Sequence, residues 1–339
     1  MNKRKKSLVT MLVLTIVFSL FAVACGGGGN NAGQPSGETN DGAGEKLESL
    51  IIATGGSSGT YYPLGGSMAQ LFQDHVIPAS AQVTAASVAN MRLLKDGEVD
   101  LAFTQGDIAD YATKGTIMFE EGGAIDNIQA IASLYNETVQ IIVPENSSIQ
   151  TVADLKGKHV SVGEPGSGTE ANAEQLLEVY GLTFDDLGKA ERLSFGESTS
   201  HIQDGTVEAA FVTAGTPTAA VNELAATKGV RVIGLDDEHI AELIEKYPYY
   251  TEQAIAAGTY SGFDQDIKTV AVKAQLVVRA ELDEALVYDL TKTLFDNLDA
   301  YKQGNHQKAE EITLEQALEG VSLDVHPGAA KYFEEKGIK

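Results

Sequence analysis

The sequence predicts an α/β fold of two lobes built on parallel-rich sheets, and three observations carry that prediction. Short apolar, strand-like runs alternate with segments of helical period along most of the chain, the pattern of a sheet covered on both faces by helices. A strand, a loop of glycine and hydroxyl residues, and a helix start recur together at residues 50–71 and 159–180. Two long extended runs, residues 128–143 and 269–279, leave one group of elements and come back to it. The N- and C-terminal parts of the chain therefore share a lobe.

In order, Leu50-Ile51-Ile52-Ala53 is the first strand, residues 54–60 form a small-residue loop, and Leu64, Met68 and Leu71 recur at helical spacing to about Asp74. Gln82-Val83-Thr84-Ala85-Ala86 reads as a second strand, after which Ser87 is placed to cap a helix that buries Leu93 and Leu94. Residues 100–105 make a third strand running into a helix from Gly106. Beyond the extended run 128–143, residues 151–158 form a capped short helix closed by glycine, and 159–163 a strand. Glu164-Pro165-Gly166-Ser167-Gly168-Thr169-Glu170 then repeats the first loop and opens a helix carrying Ala173, Leu176, Leu177 and Tyr180. A helix follows near residues 198–204 with Ser198 as its cap, then a strand at 209–213, and Pro217 suits a first helical turn. Residues 230–235 are a further strand, the tyrosine-rich stretches 247–250 and 260–263 are loops, and 269–279 returns to the first sheet. Helices at 283–301 and 309–318 and a last short one from about 325 complete the chain. The lobes so drawn are residues 48–138 with 268–339, and 139–267.

The N-terminus is basic from Lys3 to Lys6, apolar from Leu8 to Ala24, and reaches Cys25, the single cysteine, ahead of four glycines. This is the pattern of an export signal over residues 1–24. Ala22 to Cys25 resembles a bacterial lipoprotein signal, departing from it at Ala22 where leucine is usual, and implies lipidation at Cys25. Residues 25–47 have almost nothing to bury and read as a flexible linker. One cysteine excludes a disulfide framework. The chain carries 24 basic and 48 acidic residues for a net charge of −24, and loss of the leader would leave 20 against 48, or −28. Such a surface repels nucleic acid and anionic lipid. No later apolar run is long enough to span a bilayer, so the lipid anchor is the expected membrane contact, and a monomer outside the cytoplasm is expected.

Enzyme chemistry finds little support in the sequence. The six histidines show no metal-ligand spacing, no nucleophile-elbow serine is present, and no cofactor or metal is expected. The first loop lacks the lysine of a phosphate loop and the glycine spacing of a dinucleotide site.

Five segments together, residues 51–71, 164–169, 205–217, 269–278 and His326-Pro327-Gly328-Ala329, resemble the TAXI family, the extracytoplasmic solute receptors of tripartite ATP-independent periplasmic (TRAP) transporters. The resemblance spans about residues 48–336. It implies a type II periplasmic binding protein fold that closes on its solute and delivers it to the permease subunits of a membrane transporter driven by an ion gradient. It also implies glutamate, 2-oxoglutarate or a related small carboxylate as solute.

The residues themselves point to a small anionic or zwitterionic ligand. Residues 55–60, 87–90 and 167–169 are loop-to-helix transitions at the carboxyl ends of strands, where ligands sit in such sheets, and each helix start offers unpaired N–H groups and partial positive charge. Thr54, Gly56, Ser57, Ser58 and Thr60 are assigned to a carboxylate, with Ser87 opening the second helix and Ser167, Gly168 and Thr169 gripping from the other lobe. Tyr61 would cover the ligand's apolar stem, while Asn90, Gln105 and Gly215 or Thr216 read its remaining polar group. Each hydroxyl has helix capping as its alternative role. Arg92 and His201 read better as surface residues. Asn136 and Glu137 lie where the chain changes lobe, as hinge or ligand residues. Glu164 and Glu170 would oppose an anion unless they point outward, which leaves room for a zwitterion whose ammonium they pair with. Besides a transport receptor, a tethered sensor signalling to a membrane partner and an exported enzyme acting on a small acid share these features.

Overall fold

The computed structural model describes residues 47–339; the expected signal peptide, Cys25 and all but the last residue of the linker lie outside them. β1 (Leu50–Ala53) lies between β2 (Ala79–Gln82) and β3 (Leu101–Gln105), parallel to both. Each is followed by a helix: α1 (Tyr61–His75), α2 (Ser87–Lys95) and α3 (Gly106–Lys114). Leu64, Met68 and Phe72, one turn apart on α1, are fully buried, which is what fixes that helix on the sheet. Gly65 lets it approach closely, since a Cβ there would stand 2.4 Å from the Thr54 methyl.

A second group repeats the arrangement. β5 (His159–Ser161) lies between β6 (Lys189–Glu191) and β7 (Ala209–Ala214), again parallel to both, with α4 (Gly168–Val179), α5 (Phe195–Asp204) and α6 (Ala219–Thr227) between and after them. Next come β8 (Val230–Val232), α7 (Asp237–Lys246) and β9 (Thr251–Ile255).

Two long strands join the groups. β4 (Ile128–Pro144) and β10 (Ile267–Arg279) run antiparallel, from Ile128 opposite Arg279 to Thr138 opposite Ala271, with irregularities on either side of Gln275 and Leu276. β10 carries β3 on its outer edge, and β4 carries β7 and β8 beyond the crossing. The resulting order is β2-β1-β3-β10-β4-β7-β5-β6, parallel at both ends and antiparallel in the middle. One core gathers Leu50, Met68, Leu276 and Leu290; another gathers Val139, Leu176, Phe211 and Val272. Two lobes therefore hang on two shared strands. α8 (Glu284–Asp296), α9 (Leu298–Lys302) and α10 (Pro327–Glu335) return to the first of them. Among the described residues no helix is long and apolar enough to cross a membrane.

Several elements differ from the sequence reading, each for a local reason. The strand expected at 82–86 ends at Gln82; the Thr84 hydroxyl accepts from Ala86 N at 3.0 Å and donates to Asn90 Oδ1 at 2.6 Å, holding a loop with Ala86 at φ +70°. Ser87 is the first residue of α2 rather than its cap. α5 is capped by Ser194 in a reciprocal pair with Glu197, whereas Ser198 is buried inside the helix 2.7 Å from Ser161 Oγ. Pro217 precedes α6 and follows a cis peptide bond. The strand at 230–235 stops at Val232, Asn297 divides the helix expected at 283–301, and of residues 309–318 only the start belongs to a helical segment, a 3-10 turn over Gln307–Glu311. The sequence reading leaves β6, α7 and β9 unassigned.

Candidate functional site

A cavity lies between the lobes, at the ends of β1, β3, β5 and β7. Its walls are the β1–α1 loop, the start of α2, the loop into α4, and the last residues of β7. The first turns of α1, α2 and α4 all border it, through Tyr61, Ser87, Gly168 and Thr169, so three helix starts meet at one space, although Ala89 N and Glu170 N in those turns are already taken by Gly166 O and Ser167 Oγ. Glycine makes this approach possible. At Gly168 a Cβ would stand 1.8 Å from Gln105 Oε1.

Of the residues singled out from the sequence, Gly56, Ser58, Thr60, Tyr61, Ser87, Gln105, Ser167, Gly168 and Thr169 line the cavity. Several are already engaged. Thr60 donates to Gly215 O at 3.2 Å, Ser87 Oγ accepts from Gln105 N at 3.2 Å, and Ser167 caps α4 by accepting from Glu170 N at 3.1 Å. Five lie off the wall. Thr54 donates to Gln82 O at 2.7 Å, and Asn90 donates to Thr54 O and Phe103 O at 2.7 Å each; both are fully buried and brace the strand ends beneath the cavity. Ser57 is exposed at the turn, while Gly215 and Thr216 sit behind the wall, Gly215 packed against Lys308. Arg92 covers Phe119 on the surface, and Asn136 bonds Gln253. Glu170 turns away to Arg192 at 2.5 Å, whereas Glu164 faces the cavity.

The sequence reading missed Thr213 and Phe195 on the wall. Thr213 ends an apolar strand at the edge where ligands sit, and the Ser194-to-Glu197 capping pair marks a helix start at Phe195; both signals were available. Two buried atoms on the wall, Gln105 Oε1 and Thr213 Oγ1, have no hydrogen-bond partner in the protein. Gln105 Nε2 is fixed by Asn172 Oδ1 at 3.0 Å.

Two carboxyls stand on the wall, and no Lys, Arg or His joins them there. Glu137, 3% exposed, accepts from Tyr61 OH at 3.1 Å and Tyr135 OH at 3.2 Å. Burial pushes it up to about 8, against the pull of those hydroxyls. Glu164 is raised by burial and by the nearby Glu197. Behind the wall, Asp107 is pushed by burial up to about 6 although it accepts from Asn172 Nδ2 at 3.1 Å.

Hydrogen bonds between the lobes hold the cavity shut on two sides. Ala220 N donates to Ser58 O at 3.3 Å, and His306 Nε2 lies 2.9 Å from Pro217 O. Because His306 Nδ1 accepts from Lys308 N, Nε2 carries the proton. On the other side Ala89 N donates to Gly166 O at 3.0 Å, Asn172 bridges Gln105 and Asp107, and Gln175 Nε2 donates to Tyr111 OH at 3.2 Å.

Two lobes on a pair of shared strands, closed over a cavity at their strand ends, define the two-lobed periplasmic binding protein fold. Solved structures agree. A protein from Bordetella bronchiseptica RB50 superposes with a TM-score of 0.55 at 14% identity, covering 86% of this chain and 98% of its own. PhnD1 from Prochlorococcus marinus (MIT 9301), solved with methylphosphonate, gives 0.50 at 13% identity, covering 86% and 97%. By sequence the chain belongs to the NMT1-like family, which it matches over residues 52–337.

Proposed function

We propose that this protein is an extracytoplasmic solute receptor whose cavity takes a small carboxylate of the glutamate or 2-oxoglutarate kind and delivers it to the membrane permease of a TRAP transporter, as a TAXI-type receptor. The observation that carries the reading is the convergence of three helix starts on a cavity without basic residues, where the buried Thr213 hydroxyl is unpartnered and free to donate to an acid, while the equally unpartnered Gln105 Oε1 accepts only and takes a donor of the solute. Helix starts favour negative charge. A buried polar atom left unpaired costs about 1–3 kcal/mol, and a hydrogen bond to a charged group contributes about 1.5–3 kcal/mol net, so a few such contacts support micromolar binding. Assignment to a TRAP system rests on the sequence resemblance over residues 48–336, and the lipid anchor on the leader and Cys25.

The test is the melting temperature of the purified protein with a panel of dicarboxylates, acidic amino acids and oxoacids. A ligand of the folded state must raise it. No shift with any of them removes this ligand class. Loss of uptake of the stabilising acid on deleting the chain, without loss of a signalling response, supports transport over sensing.

A further inference from the structure

Glu137 belongs to β4, one of the two strands shared by the lobes, and reaches the cavity wall from there. Tyr61 from α1 and Tyr135 from its own strand each donate to one of its oxygens. With both hydroxyls spent as donors and the Gln105 side chain also beside it, the ionised carboxyl accepts only, and whatever completes its remaining lone pairs must bring hydrogen. Glu164 stands on the wall as well, its Oε1 about 3.6 Å from where a Cβ on Gly56 would lie. A nitrogen-free diacid could only accept from a Glu137 that keeps its proton, and it brings no positive charge to this wall. An ammonium supplies both.

We infer that Glu137 reads the ammonium group of a zwitterionic solute, so that the site selects amino acids over the same acids without nitrogen. The inference rests on the reading of this cavity as an acid receptor and narrows its solute class. The solute's carboxylate takes the helix starts, and its ammonium takes Glu137, with the half-buried Glu164 as a second acid. The other titratable groups facing Glu137 are Tyr61 on α1, Tyr135 on β4 and Asp107 in the first turn of α3, and Asp107 is already engaged by Asn172. Burial keeps Glu137 protonated at neutral pH while the site is empty. An ammonium placed beside it draws the carboxyl into its ionised form, the O–H bond breaks, and the proton passes to solvent while the solute keeps its own charge.

The experiment is titration calorimetry at neutral pH with matched pairs, L-glutamate against glutarate and L-aspartate against succinate, in phosphate and in Tris, whose heats of ionisation differ. The amino member of the better-bound pair is expected to bind about tenfold tighter or more, with an apparent heat that differs between buffers because a proton is released. Glu137→Gln is expected to bring the two members within about twofold and to abolish the buffer dependence. Should that variant fail to melt cooperatively, preference and proton release in the unaltered protein decide the matter alone. Equal or tighter binding of the nitrogen-free acid, or an undiminished preference in folded Glu137→Gln, overturns this inference and leaves the acid-receptor reading standing. Failure of all four acids to bind removes both.

Discussion

Ala86 shows how much local geometry this cavity demands. It is held at φ +70° and ψ −143°, a region that side chains other than glycine's rarely enter and that costs about 1–3 kcal/mol. The conformation is imposed by Ala86 N donating to Thr84 and by Asn90 N donating to Ala86 O at 2.8 Å. Ala86→Gly is expected to raise stability by about 1 kcal/mol, seen as an upward shift of the melting temperature; a downward shift would show that methyl packing outweighs the strain. Glu137 makes a second test at this scale. Its pKa in the fold, about 8, stands above the ordinary 4.5, so the folded protein holds a proton that the unfolded chain has released between those values. The associated stability is complete below pH 4.5 and is lost as pH rises toward 8, on the order of a few kcal/mol. Asp107 acts with the same sign between 3.8 and about 6. The melting temperature without solute should fall from pH 5 to 8, and less steeply in Glu137→Gln.

Among the elements, Asp100 and Arg279 join the beginning of β3 to the end of β10. Asp100 accepts from Arg279 Nη2 at 3.0 Å and from Ile51 N at 2.8 Å, and both side chains are about nine-tenths buried. Asp100→Ala leaves the buried Arg279 its second carboxylate, Glu281 at 2.9 Å, but takes the acceptor from Ile51 N; it should cost about 1–3 kcal/mol, read as a lower urea midpoint with an unchanged slope. Strands such as Leu50–Ala53 and Ala209–Ala214 were legible because their apolar runs are bounded by glycine or hydroxyl residues. β2, Ala-Ser-Ala-Gln, was not: it is a half-exposed edge strand without a large apolar residue, and pairing with β1 alone defines it. Residues 309–318 carry Ala309, Ile312 and Ala317 at helical spacing, and all three are buried; yet a 3-10 turn followed by bends is enough to bury them. The cavity wall was read largely from the two glycine loops. Polarity alone does not tell whether a side chain faces the cavity or braces a carbonyl: Thr54 and Asn90 lie off the wall on backbone carbonyls, whereas Thr213 lies on it.

For the whole molecule, closure of the lobes is concentrated in a few polar bridges. Asn172 on α4 meets Gln105, Asp107 and Tyr250 together, and it is fully buried. Asn172→Ala leaves a buried carboxyl without its amide donor and is expected to cost about 2–3 kcal/mol. It should also widen the cleft, seen as a larger radius of gyration by small-angle scattering in the absence of solute. An unchanged radius would assign closure to the bridges around Thr60 and His306 instead.

A wall of dipoles inside a chain of net charge −24 separates the two rates of binding. An acid approaching this molecule is slowed by its long-range field, which added salt screens, whereas contacts within the closed cavity are too short-ranged and too little exposed to feel the same ions. Raising ionic strength from about 10 mM to about 300 mM should therefore speed association, measured by stopped-flow, and leave dissociation nearly constant. A receptor that grips its acid with arginine or lysine would show the opposite trend, with capture weakened by the salt.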